Sequence, residues 1–215
     1  MKPTPALRKK GAAILKALRR LYPQAHCELV FGSPLELAVA AILSAQCTDR
    51  RVNMVTPALF KKYRTAEDWA HADLAVLEKD IHSTGFFRNK AKNIKALGRA
   101  LCDRYGGALP SELETLITLP GIGRKTANVL LISAFGKPGV TVDTHCTRVS
   151  RRLGLTRSLS PEKIEMDLRN LFAEKDWADL SHCLVFHGRY CCKARKPLCA
   201  QCPLAKLCPS CELEN

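Results

Sequence analysis

"LPGIGRKTANV", residues 119–129, sets two glycines one residue apart directly in front of a basic pair and an apolar run. Gly121 and Gly123 permit backbone angles that a Cβ would disfavour, and they leave amide N–H groups uncovered. A helix beginning at Arg124 would add the partial positive charge of its N-terminus. Amides and helix end together suit an anion such as a phosphate. Lys125 at that spot is suited either to hold the phosphate or to act as a nucleophile.

Working outward, Glu112, Leu113, Leu116 and Ile117 begin a helical pattern before the turn, and Ala127, Leu130, Leu131 and Ala134 continue one after it. The segment therefore reads as a helix-hairpin-helix, an element that grips DNA phosphates through backbone amides and reads no base sequence. A lone Gly-x-Gly is more often an ordinary turn between packed helices. Here Arg124-Lys125 and the basic chain favour the phosphate reading. Helical periodicity dominates elsewhere too. Leu7, Ile14, Leu15, Leu18 and Leu21 share a face, and Pro23 ends that helix. "SPLELAVAAILSAQ" has Ser33 as N-cap and Pro34 in the first turn, and is apolar nearly all round, as a buried helix should be. Further helices are expected near 49–62, 66–71, 73–81, 87–105, 111–117, 124–135, 144–153, 161–173 and 176–187. No convincing alternating strand is found, so the fold class is all-α. The turn Gly136-Lys137-Pro138-Gly139 is a candidate crossing between domains.

The 215 residues allow one large or two small domains. The formal net charge is +14; so basic a chain usually meets a polyanion, most often nucleic acid, although charge also serves solubility alone. No apolar run approaches the ~18 residues that span a membrane, and the N-terminus has charges where a signal peptide would have an apolar core. A cytoplasmic protein is expected, associated with the nucleoid if bacterial.

"VDTH", residues 142–145, precedes a helical pattern that ends at Gly154. Asp143 is well placed to cap it; a fixed carboxylate also stabilises developing positive charge. The 11 cysteines are uneven: Cys191, Cys192, Cys199, Cys202, Cys208 and Cys211 crowd the last 25 residues. An odd total without a secretion signal argues against a disulfide framework, and the cluster reads as a metal site. Cys192, Cys199, Cys202 and Cys208 give C-x6-C-x2-C-x5-C. Four thiolates can hold Zn²⁺ or a [4Fe–4S] cluster, and spacing alone does not separate them.

"LPGIGRKTANVLL" followed by "VDTH", with "SPLELAVAAILSAQCTD", "STGFFRNKAKNI", "HGRYCCKARKPLC" and the cysteine tail, resembles the helix-hairpin-helix, Gly-Pro-Asp superfamily of DNA glycosylases, and within it the endonuclease III family. The resemblance covers nearly the whole chain. It implies a two-lobed fold, with residues 27–137 forming a six-helix lobe that carries the hairpin and residues 1–26 and 138–215 forming a cluster lobe. It implies a bifunctional glycosylase and AP lyase acting, as a monomer, on oxidised pyrimidines in double-stranded DNA. Lys125 is then the nucleophile, with Asp143 assisting it and base departure. A lysine must be neutral to attack, which a buried setting promotes. The resemblance also turns the metal from zinc to a [4Fe–4S] cluster on Cys192, Cys199, Cys202 and Cys208. Cys191 falls outside the pattern, since only Cys192 leaves six residues before Cys199, and so does Cys211.

By the same resemblance, Gly121, Gly123 and Arg124 bind the DNA backbone, and Lys193, Arg195 and Lys196 contact it from the loop between the first two ligands. Gln46 enters the duplex and Phe86 sits at the wedge loop, where the family commonly has a leucine; Phe87 is the alternative wedge. Two other readings stay open: a monofunctional adenine or thymine mismatch glycosylase, which usually lacks the hairpin lysine, and a non-catalytic DNA-binding module.

Overall fold

The computed structural model describes residues 3–211. Among them are eleven α-helices, joined by turns and short 3-10 segments, and no strand. No helix of the described residues is long and apolar enough to cross a membrane. The chain divides into two compact units. One runs Glu28–Lys137; the other combines the residues up to Cys27 with those from Pro138 onward.

In the second unit α1 (Pro5–Leu21) starts on Thr4, whose side chain accepts from the Leu7 amide. Its buried stripe of Ile14, Leu15 and Leu18 enters a core shared with α9 (Thr144–Arg152), α10 (Pro161–Leu171) and α11 (Trp177–Tyr190), through Val149, Ile164, Leu168, Leu180 and Leu184. Arg19 ties α1 down by ion pairs to Asp176 (2.7 Å) and Asp179 (2.8 Å).

In the Glu28–Lys137 unit α2 (Pro34–Leu43) is the central element. Ser33 caps it by accepting from the Glu36 amide, and Leu37–Ala40, Ile42 and Leu43 are all buried, as its unbroken apolar pattern requires. It packs against α3 (Asp49–Lys62), α6 (Phe87–Tyr105) and α8 (Arg124–Phe135). α4 (Ala66–His71) lies tightly on α6, and α5 (Leu74–Asp80) follows it. The tightness has a local cause at Gly98. A Cβ there would stand 2.6 Å from both the Ala66 carbonyl oxygen and the Ala70 nitrogen. Gly98→Ala gains about 1 kcal/mol of helix propensity and meets an overpacking cost of about 3 kcal/mol against backbone that cannot step aside. A net loss of about 2 kcal/mol is expected in urea unfolding; a variant as stable as the native protein would show that α4 moves freely.

Two helices differ from the sequence expectation. The one expected at 111–117 is shorter, α7 (Leu113–Leu116). Lys137 Nζ donates to the Ser111 carbonyl (2.9 Å), the Ser111 hydroxyl (2.7 Å) and Glu112 Oε1 (3.0 Å), and holds that segment extended. The helix expected to stop at 187 continues to Tyr190. Gly188 is not a stop signal. A Cβ there would come within 2.7 Å of His145 Cβ, so this glycine serves the close approach of α11 to α9.

Candidate active site and metal centre

The hairpin joins α7 to α8 through Leu119–Gly123. Its two glycines are there for different reasons. Gly121 has φ +75°, and a Cβ would stand 3.0 Å from Ile42 Cδ1 and 3.1 Å from Asn93 Cβ. Gly123 corrects the sequence reading: its φ of −85° suits any residue, and a Cβ there would meet nothing within 4 Å. The fold leaves room at Gly123 on its outer side, just where α8 begins with no side chain capping its first turn. Uncapped amides at a helix N-terminus form an anion site. Arg124 is partly buried and its carbonyl accepts from Asn128 Nδ2 (3.1 Å). Lys125 is exposed, contrary to the buried setting expected for a neutral nucleophile. In the first turn of a helix whose start faces outward, its side chain has no core to enter.

Gln46 follows the end of α2, and Phe86 directly precedes α6. Both are exposed, Phe86 at 63 %. Phe87 is partly buried and leans on the His82 ring, with centroids 4.5 Å apart. Gln46 (φ +53°), Phe86 (φ +47°) and Lys196 (φ +50°) are the only non-glycine residues at positive φ among those described. A left-handed conformation costs a side-chain-bearing residue about 1–2 kcal/mol, and such strain gathers at functional sites. All three are positions to which the resemblance assigns contact with DNA.

In the other unit Asp143 is the N-cap of α9. Its Oδ1 accepts from the Cys146 amide at 2.7 Å, and it is half-buried. α9 also organises the cysteine tail through two arginines that the sequence reading missed. Arg148 donates from Nη2 to the Gly188 carbonyl (2.8 Å) and from Nε to the Cys192 carbonyl (3.0 Å). Arg152 donates from Nη1 to the Lys193 carbonyl (2.7 Å) and from Nη2 to the Ala194 carbonyl (3.1 Å), and Nη1 approaches Cys192 Sγ at 3.4 Å. Their spacing of four along one helix face was the available signal. Lys193, Arg195 and Lys196 stand exposed on the loop whose base Arg152 holds.

Cys191, Cys192, Cys199, Cys202, Cys208 and Cys211 line one cavity together with His187, and no carboxylate lines it. Cys202 Sγ lies 3.7 Å from His187 Nε2, and the ligand atoms of His187, Cys191 and Cys202 all fall within 4.8 Å of one another. Burial raises the pKa of the Cys208 thiol. All six cysteines are partly buried, and gathering several thiolates so closely calls for a cationic centre of soft character. The donor set therefore fits an iron–sulfur group.

Residues 39–174 match the family of HhH-GPD superfamily base excision DNA repair proteins, and residues 192–208 match the iron-sulfur binding domain of endonuclease III. Endonuclease III of Synechocystis sp. is 53% identical over 204 residues, covering 94% of this chain and 93% of that protein. A non-covalent endonuclease III–DNA complex and a trapped endonuclease III–DNA covalent intermediate each superpose with a TM-score of 0.91 at 46% identity. Each covers 94% of this chain, and 95% and 96% of the other. Fold and site thus define a helix-hairpin-helix protein of base excision DNA repair. Within that superfamily the chain belongs to the endonuclease III family, and its cofactor is a [4Fe–4S] cluster.

Proposed function

We propose that this chain, acting as a monomer in the cytoplasm, excises oxidised pyrimidines from double-stranded DNA and then cuts the strand 3′ to the abasic site by β-elimination. The observation that carries the reading is Lys125 on the first, uncapped turn of α8, behind a glycine with open space around it. Gly121, Gly123 and Arg124 hold the backbone there through amides and charge. The neutral Lys125 amine attacks C1′ of the damaged nucleotide, the base leaves with the bonding electrons, and loss of a proton from the nitrogen leaves a ring-closed aminal. The nitrogen lone pair then breaks the C1′–O4′ bond, O4′ takes up a proton, and the open-chain Schiff base results. Loss of a C2′ proton and departure of the 3′ phosphate complete the cut. The exposure of Lys125 in the free protein means that bound DNA supplies the water exclusion. The Asp143 carboxylate stabilises the positive charge that develops on the sugar. Its Oδ1 is committed to the helix cap, which leaves Oδ2 for this task.

Gln46 and Phe86 enter the duplex as the target nucleotide is extruded, the unstacking that any such enzyme must offset. Cys192, Cys199, Cys202 and Cys208 hold the cluster. The family's iron–sulfur match begins and ends on the first and last of them, which supports leaving Cys191 and Cys211 outside the set. The cluster's contribution is structural: it pins both ends of the loop bearing Lys193, Arg195 and Lys196, so those cations meet phosphates with little entropy left to lose.

Borohydride trapping on two duplexes, one with an abasic site and one with an oxidised pyrimidine, tests the reading. Covalent adducts with both are expected. An adduct with the abasic duplex alone would remove the glycosylase step on that lesion, and none with either would overturn the lyase mechanism.

A further inference from the structure

Lys90 lies in α6 and is only 4% exposed, a rare place for a lysine. Its Nζ donates to the Leu43 carbonyl and to the Thr84 carbonyl, both at 2.7 Å. Leu43 is the last residue of α2, whose final carbonyls lack partners within the helix and carry its partial negative charge. Thr84 closes the 3-10 turn His82–Thr84. The chain goes on from Leu43 to Gln46 and from Thr84 to Phe86. The Lys90 main-chain N–H donates to the Phe86 carbonyl as well, at 3.2 Å. Burial lowers the pKa of this amine, with the Cys47 thiol acting weakly the other way. An apolar side chain would fill the same space without burying a charge, so filling space does not explain a lysine here.

We infer that Lys90 is a positioning residue: its ammonium joins the base of the Gln46 turn to the base of the Phe86 turn, so that the two left-handed residues meet DNA as one wedge. The inference rests on the proposed entry of Gln46 and Phe86 into the duplex. It differs from a stabilising role because it requires the two side chains to depend on each other.

A double-mutant cycle measures that dependence. Single-turnover excision of an oxidised pyrimidine is followed with the whole cluster-loaded protein, for Gln46→Ala, Phe86→Ala and the pair, each with Lys90 and with Lys90→Met. With Lys90 in place, the pair should lose less than the product of the two single losses, since either change alone already disables the wedge. Lys90→Met should itself cost about 10–10²-fold, the scale of a small misplacement, and should make the two losses multiply. If Lys90→Met does not fold, Lys90→Arg carries the same cycle: it keeps a charge but fits the two carbonyls poorly, and should weaken the coupling. Independent losses in the native background, or coupling that survives in the Lys90 variant, would overturn the inference. Native rates for both single variants would instead remove the duplex-entering roles of Gln46 and Phe86, and the inference with them.

Discussion

Lys125→Gln is expected to give no borohydride-trapped adduct on either duplex and to lose strand cleavage by about 10⁴-fold or more, the scale seen when a nucleophile is removed. Glutamine is one bond shorter than lysine and keeps a capacity for hydrogen bonding, but it has no amine to form a Schiff base. Duplex binding should survive. The proposed phosphate contacts come from main-chain amides around Gly121–Arg124, which the substitution leaves alone. Thermal melting should also be unchanged, because Lys125 is exposed and supports no packing. Trapping, binding and melting on one preparation form the test. A normal yield of adduct from the variant would move the nucleophile to another amine.

Asp143→Asn should separate two duties of a single carboxylate. Oδ1 accepts from the Cys146 amide, and Asn caps a helix about as well as Asp. The melting temperature should therefore hold. The second oxygen is replaced by an uncharged NH₂, so the anion facing the reaction is lost. Excision in a single turnover should fall by ~10²–10⁴, as when a positioned electrostatic or acid–base group is removed. Affinity for damaged duplex should hold or rise, because a negative charge near phosphates has gone. Asp143→Ala adds the loss of the cap, about 1 kcal/mol, and should lower the melting temperature too. Full-rate excision by the Asn variant would return Asp143 to capping alone.

The bounds of α3, α4, α6 and α8 were legible because their ends are punctuated locally. Thr48 and Thr65 cap two starts, and Gly106 and Gly136 close two ends in the left-handed conformation. The glycine hairpin before α8 and the Asp143 cap were legible for the same reason. Features set by distant partners were not. Ser111 and Glu112 look helical until Lys137 claims them. Gly98 and Gly188 carry no sequence signal of their own and prove to be contact points between helices. The burial of Lys90 was not read from the sequence either: it shares the buried face of α6 with Ile94, Leu97 and Leu101, and its register on that face was the signal. The catalytic roles proposed for Lys125 and Asp143 come from the family resemblance, since residue type and spacing offered phosphate contact or capping as well. Geometry does not single out Cys192 either: both cysteines line the same cavity, and it is the Cys191 sulfur that lies within 4.8 Å of Cys202 and His187.

The discontinuous unit has a consequence for biosynthesis. α1 is synthesised well before the helices that cover Ile14, Leu15 and Leu18; Arg19 meets Asp176 across 157 positions. Closing so long a loop is slow and entropically costly. The contiguous segment Glu28–Lys137 can fold in the interval and draw the two ends together. Cys192, Cys199, Cys202 and Cys208 follow α9, α10 and α11 in the sequence, so a cluster held by them closes a unit whose helical partners for α1 have already been synthesised.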